Sequence, residues 1–269
     1  MIDILEITSL QNPLIKDIRS LDRKKDRWEK QLFIIEGIKL IQEALSSRLD
    51  LKYILYSEKL LTTNEGTKFY EDIKDEENLL KVSNQVFREI SNTESPQGVI
   101  GVGKFDIREI EEITKSEKSL FIYLDGIQDP GNMGTIIRSG DAFNIGGIIL
   151  GGGCVDPYNP KVVRSTMGSI FRLPLYFCNN SLEFINKMRK SNFNIISSDL
   201  DGNPLSKELL REKSIVIIGN EARGVDKDLL QLSNIRVRIP MPGKAESLNA
   251  GVAASIIMYE AMQARNLEL

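Results

Sequence analysis

IPMPGKAESLNAGVAASIIMYEAM, residues 239–262, reads as a loop that feeds a helix. Pro240 and Pro242 fix φ and donate no backbone hydrogen bond, so Ile239-Pro240-Met241-Pro242-Gly243 must leave a strand as an extended turn. Ser247 is the expected N-cap. Leu248, Val252, Ala253, Ile256, Ile257 and Tyr259 recur at roughly helical spacing, which predicts a buried helix. Ser247 and Asn249 put polar side chains and free N–H groups into its first turn, a good place to hold a polar ligand. An ordinary capped C-terminal helix has the same signature, so the choice depends on the rest of the chain.

Upstream of that segment, SLFIYLDGI, GGIILGGG, LYFC, NFNIISSDL, SIVIIGN and IRVRIP read as strands. Helical DPGNMGTIIRSGDAF, NPKVVRSTMGSIFRLP and SLEFINKMRKS separate them. This alternation predicts an α/β fold with a mainly parallel sheet covered on both faces, whose ligands sit beyond the carboxyl ends of the strands. Asp125-Gly126, Leu150-Gly151, Gly219-Asn220 and Pro240-Met241 fall at such ends. This unit spans residues 119–269, and a polar, acidic linker at 106–118 reads as a helical connector to it.

Residues 1–105 form a smaller alternating α/β unit, with LFIIEG, LKYILYS, NLLKVS and GVIGVGKF as strands. Near its start Asn12-Pro13 opens a helix whose apolar face is Leu14, Ile15, Ile18 and Leu21. Its other face carries Lys16, Arg19, Arg23, Lys24, Lys25, Arg27 and Lys30 among Asp17, Asp22, Asp26 and Glu29. Acids so evenly interleaved fit a solvated, salt-bridged surface as well as an RNA contact.

Composition removes several chemistries. The chain of 269 residues has two cysteines, Cys154 and Cys178, and no histidine. Histidine triads, histidine bases and the usual zinc spacings are therefore unavailable, no metal is expected, and a disulfide framework is excluded. Asp3 and Glu6 stand where a secretory leader would be basic and then apolar, and no apolar run is long enough for a bilayer; a cytoplasmic protein is expected. The formal charge of −3 means that any nucleic-acid surface must be local.

The glycine-bearing strand ends do not fit the nucleotide fingerprints. Asp156 breaks the dinucleotide pattern at 151–156, and Gly224 is followed by Val-Asp where a phosphate loop needs Lys and Ser or Thr. In DPGNMGTIIRSGDAF, Gly131 and Gly134 allow close approach to Asn132, and Arg138 on a packing helix needs an anion or carboxylate partner. In IIGNEARGV, Glu221 sits between Gly219 and Gly224, in a plain turn, paired with Arg138, or holding a ligand hydroxyl.

These three blocks, in this order, closely resemble the motifs of the SpoU (TrmH) branch of the SPOUT RNA 2′-O-ribose methyltransferases. Residues 1–105 resemble, more loosely, the L30e-like substrate-binding domain that precedes the catalytic domain in members acting on ribosomal RNA. One departure is Ala250-Gly251, where members often carry Val-Ser. The resemblance implies a trefoil knot at the C-terminus, bound S-adenosylmethionine, a homodimer, and ribosomal rather than transfer RNA as substrate. Matched by motif, Asn132, Arg138, Glu221, Ser247 and Asn249 become the reaction site. Leu150, Gly151, Gly219, Asn220, Glu221, Ile239, Met241, Ser247 and Leu248 become the cofactor loops. Lys24, Lys25, Arg27, Lys161 and Arg164 are the expected RNA contacts, and the small residues Ala250, Gly251, Ala253 and Ala254 the expected dimer surface.

Overall fold

Two sheets of different kind carry the chain in a computed structural model that describes residues 6–265. Asp3 and residues 266–269 lie outside the described residues. The first unit comprises residues up to Asp106 together with 158–171, and the second comprises 107–157 and 172 onward.

In the first unit, β1 (Leu32–Glu36), β2 (Leu51–Tyr56), β3 (Leu79–Lys81) and β4 (Val99–Lys104) form a sheet in the order β1-β4-β2-β3. The β4 strand runs antiparallel to both neighbours, and β2 and β3 are parallel. Around it lie α1 (Pro13–Ser20), α2 (Lys24–Lys30), α3 (Ile38–Ser46), α4 (Asn64–Ile73) and α5 (Asn84–Ile90). As expected, Asn12 caps α1 by accepting from the Leu14 amide at 2.9 Å, with Pro13 at the first helical position.

The basic stretch is not one helix with a charged outer face. It breaks between α1 and α2, and Arg27 turns inward, only 2% exposed. Its Nη1 donates to the carbonyls of Leu21 at 2.7 Å and Asp22 at 2.8 Å, tying α2 to the end of α1. Arg27 is therefore a structural residue and not an RNA contact. Lys24 and Lys25 remain exposed.

Residues 158–171, read from sequence as part of the second unit, join the first. Tyr158 stacks on Phe105 with ring centroids 3.8 Å apart and meets Phe33 at 5.0 Å. Helix α8 (Pro160–Ser165) follows and packs on β1. The segment expected to be helical throughout ends there, resuming only as a short 3-10 turn at Ser169–Phe171. Lys161 and Arg164 thus belong to the first unit, Lys161 exposed and Arg164 half-buried, donating to the Asn92 carbonyl at 3.5 Å.

The second unit contains β5 (Leu120–Asp125), β6 (Gly147–Leu150), β7 (Leu175–Phe177), β8 (Asn194–Pro204), β9 (Ser214–Gly219) and β10 (Ile235–Arg238). They form one sheet in the order β10-β8-β9-β5-β6-β7 with every named pair parallel. Ile113, Phe184, Met188 and Leu229 bring α6 (Glu111–Lys115), α9 (Ser181–Lys190) and α10 (Lys227–Leu232) onto one face, against Phe121, Tyr123, Ile215 and Ile217. Packed against each other, α7 (Pro130–Ala142) and α11 (Ala250–Ala264) lie on β6 and β9 respectively. The expected connector is mostly not helix: α6 has five residues, and Ile113 is fully buried with Ile110 beside it, so this stretch is part of the second unit's core.

Replacing Arg27 by Ala leaves the Leu21 and Asp22 carbonyls without a buried donor, with an expected loss of about 1.5–3 kcal/mol in denaturant unfolding. Lys24→Ala and Lys25→Ala, on the exposed side, should each change stability by less than about 0.5 kcal/mol.

Candidate functional site

At the carboxyl ends of β5 and β9, which pair through Asp125 and Gly219, three loops converge. Asp129 caps α7, its Oδ1 accepting from the Asn132 amide at 2.8 Å, and Pro130 begins the helix. This holds Asn132 in the first turn, 7% exposed. After β9 the chain makes a tight turn, in which the Asn220 and Gly224 amides and carbonyls bond each other at 3.1 and 2.9 Å. Gly219 must be glycine: a Cβ there would lie 2.2 Å from the Gly224 carbonyl carbon and the Val225 nitrogen. Asn220 braces the turn, its Oδ1 accepting from the Ala222 amide at 2.9 Å and its Nδ2 donating to the Gly126 carbonyl at 2.7 Å. Its side chain serves the loop.

Glu221 projects from this turn to Asn132, whose Nδ2 donates to Glu221 Oε1 at 2.5 Å. Asn132 Oδ1 in turn accepts from Asn249 Nδ2 at 2.7 Å. Asn249, not Ser247, is the N-cap of α11, its Oδ1 accepting from the Val252 amide at 3.2 Å. Both amide orientations follow from the ends of this chain of bonds: a carboxylate only accepts and a backbone N–H only donates. One arrangement of donors satisfies both ends. The three sequence motifs meet in this line of side chains.

Arg138 lies on the same helix, about 9 Å beyond Asn132 at a rise of about 1.5 Å per residue. It is exposed, and among the described residues it has no hydrogen bond or ion pair; Glu221 does not pair with it. The α7–α11 contact is close, with Ser139 and Ser255 hydroxyls 2.7 Å apart and a Cβ on Gly251 lying 3.1 Å from Thr135. Ala250, Gly251, Ala254, Ile257, Met258 and Ala261 are the buried residues of α11, while Val252 and Tyr259 are exposed by 44% and 46%. Of the small residues at its start, Ala250, Gly251 and Ala254 therefore serve contacts within the chain, and Ala253 is half-buried.

Leu150 is 5% exposed, and a Cβ on Gly151 would fall 2.3 Å from the Tyr123 hydroxyl, so both lie within the sheet's end rather than on an open surface. Open backbone begins one residue later: a Cβ on Gly152, Gly224 or Gly243 would meet nothing within 4 Å. Ile239, Met241 and Leu248 are half-buried, and Ser247 is exposed with no side-chain hydrogen bond among the described residues. Clear space beside half-buried apolar side chains suits a flat heterocycle, and the Ser247 hydroxyl and Glu221 Oε2, unbonded among the described residues, suit ribose or amino-acid groups.

The sequence reading missed Arg223, whose Nη2 meets the buried Asp125 carboxylate at 3.4 Å while Asp125 also accepts from the Asp226 amide at 2.8 Å. Asp125 at a strand end was the available signal. Burial pushes the Tyr123 hydroxyl and the Cys154 thiol up, holding both neutral; Cys154 donates to the Leu124 carbonyl at 3.3 Å. Among the described residues no group of three or more His, Cys, Asp or Glu could hold a metal ion.

Asn132→Ala and Asn249→Ala should each destabilise by about 1–2 kcal/mol. In a double-mutant cycle the direct bond predicts coupling of at least about 0.5 kcal/mol, and strict additivity would contradict it.

Comparison with known proteins bears on the same residues. Residues 119–259 match the SpoU rRNA Methylase family, and residues 12–101 match the MRM3-like substrate binding domain. The chain is 32% identical over 255 residues to the 23S rRNA (guanosine(2553)-2′-O)-methyltransferase RlmP of Bacillus subtilis, covering 94% of this chain and 98% of that protein. A crystal structure of an AdoMet-bound rRNA methyltransferase from Sinorhizobium meliloti superimposes with a TM-score of 0.82 at 32% identity, covering 98% of this chain and 99% of the other. The SpoU methyltransferase AviRb from Streptomyces viridochromogenes, solved with AdoMet, gives 0.80 at 25% identity, covering 94% and 99%. Asn132, Glu221 and Asn249 all lie inside the matched region, and the likeness runs through both units: the chain belongs to the SpoU rRNA methylase family.

Proposed function

We propose that the protein transfers a methyl group from S-adenosylmethionine to a ribose 2′-hydroxyl of 23S ribosomal RNA. The observation that carries this reading is the Glu221–Asn132–Asn249 line, which assembles the family's three motifs at the carboxyl end of a parallel sheet. Two full-length relatives support the substrate: RlmP is named for a guanosine and a Streptomyces viridochromogenes enzyme for a uridine of 23S rRNA, both at the ribose 2′-oxygen. A shared fold that serves two bases fits chemistry directed at the sugar.

S-adenosylmethionine supplies an already activated methyl. What the chain must add is position and charge, and well-oriented reactions gain roughly 7–11 kcal/mol from position alone. The clear space beside Gly152 and Gly224, with Ile239, Met241 and Leu248, would hold the nucleoside. The Glu221 carboxylate accepts from a ribose hydroxyl and places negative charge near a cationic cofactor. Asn249 retains a second Nδ2 hydrogen and Ser247 a free hydroxyl, and these orient the reacting oxygen. Arg138 acts as a clamp on the substrate phosphate or the developing alkoxide, since a guanidinium keeps its proton and is a poor base; phosphate or water takes the hydroxyl proton.

A homodimer completes the site in this reading. Arg138 has no hydrogen bond or ion pair among the described residues, and Val252 and Tyr259 leave an apolar strip on α11 beside the Phe143 ring. The partner's Arg138 then reaches the cofactor site of the opposite protomer. A trefoil knot in the C-terminal segment is part of this reading, supported by the chain's return after β10 at the sheet edge to pack α11 on α7 and β9. The first unit docks RNA through Lys24, Lys25, Lys161 and Arg164. Free thiols at Cys154 and Cys178 and a ribosomal substrate support a cytoplasmic location.

With methyl-labelled S-adenosylmethionine and 23S rRNA, the label should remain on ribose after the bases are released; label on a base would overturn the assignment. Mixing Arg138→Ala and Asn249→Ala chains, each inactive alone, should restore about a quarter of wild-type activity, because half the dimers carry one intact site. No recovery despite subunit exchange would contradict the shared site.

A further inference from the structure

The opposite, amino-terminal end of the same sheet carries a cleft of about 430 Å³ at the starts of β6 and β7. Arg108, Lys115, Lys118 and Arg172 line it, against two carboxylates, Glu112 and Asp141. In a chain of formal charge −3 this is a local reversal of sign. The cations are of two kinds. Arg108 pairs with Glu112 at 3.3 Å, an exposed pair that solvent weakens, while Arg172 donates to Asp141 from Nη2 at 2.7 Å and Nε at 3.1 Å. Among the described residues neither lysine is hydrogen-bonded to a carboxylate: Lys118 Nζ donates to the neutral Asn144 Oδ1 at 2.7 Å, and Lys115, one helical turn from Glu111, feels that carboxylate's charge without bonding it.

We infer that this cleft binds phosphate groups. Two ammonium groups that no carboxylate bonds among the described residues supply attraction, and the guanidinium groups of Arg108 and Arg172, bonded to Glu112 and Asp141, add positive charge to the same wall. The cavity exceeds the volume of one phosphate and admits a nucleotide unit. Asn144 holds Lys118 as a neutral acceptor that leaves its charge intact, where a carboxylate would cancel it. The phosphates come from an RNA backbone that continues past the methyl-transfer end or from a free nucleotide. The first source rests on the RNA methyltransferase reading; the second does not.

The test uses the full-length protein with Lys115→Ala and Lys118→Ala combined, neither lysine belonging to the methyl-transfer site. Both are exposed, so the unfolding midpoint should stay at the wild-type value, and a Lys115→Arg/Lys118→Arg pair controls for charge. Binding of pyrophosphate and of a 23S rRNA fragment is measured calorimetrically without S-adenosylmethionine, which separates this site from the methyl-transfer reading. If RNA is the source, the alanine pair weakens RNA binding about three- to tenfold, reduces the slope of log affinity against log salt by about one to two, and is rescued by the arginine pair. If a free nucleotide is the source, pyrophosphate binding falls at least tenfold while RNA affinity is unchanged. Wild-type affinity for both probes in the alanine pair overturns the proposal.

Discussion

Asn132 is the point on which the site depends. A primary amide has an acceptor on one side and donors on the other, so it can accept from Asn249 and donate to Glu221 at once, joining segments 117 and 89 residues away in sequence. At 7% exposure it has little access to water, and losing either partner would leave a buried polar atom unsatisfied. The bond to Glu221 therefore fixes the turn after β9, and the bond to Asn249 fixes where α11 begins. Neither works unless β5 and β9 are neighbours, and the parallel register from Leu120 with Ser214 to Asp125 with Gly219 makes them so.

The surrounding loops are built to hold still. Asn220 bonds both its own turn and the end of β5, and Gly219 permits a backbone approach that no other residue allows. Asp125 draws the start of α10 and Arg223 to the same strand end. What a ligand would use is, among the described residues, the unbonded Ser247 hydroxyl and one oxygen of Glu221, with clear space beside Gly152 and Gly224. Arg138 on α7 has no hydrogen bond or ion pair among the described residues, a condition that a second protomer and a phosphate would each relieve.

Much of this was legible before any coordinates. Strands buried on both faces read as continuous apolar runs, so SLFIYLDGI, GGIILGGG and SIVIIGN gave β5, β6 and β9 directly. The start of α11 was misread because Ser247 and Asn249 both cap well; a bond to Asn132 on another helix, invisible to local sequence, fixes Asn249 in the role. Arg27 was lost among evenly mixed charges because its inward turn depends on a helix break and on carbonyls exposed at that break. Tyr158 and Phe171 carried a signal that went unused: aromatic residues in a polar segment mark a docking contact, here onto Phe33 and Phe105.

The central claim is that the cofactor sits among the loops gathered by Asn132. Hydrogen–deuterium exchange of the full chain with and without S-adenosylmethionine measures this directly. The account predicts slowed exchange at residues 151–153, 219–224 and 239–249, with the amino-terminal cleft at Lys115 and Lys118 unchanged. Protection confined to other segments, or none at a saturating cofactor concentration, would contradict it.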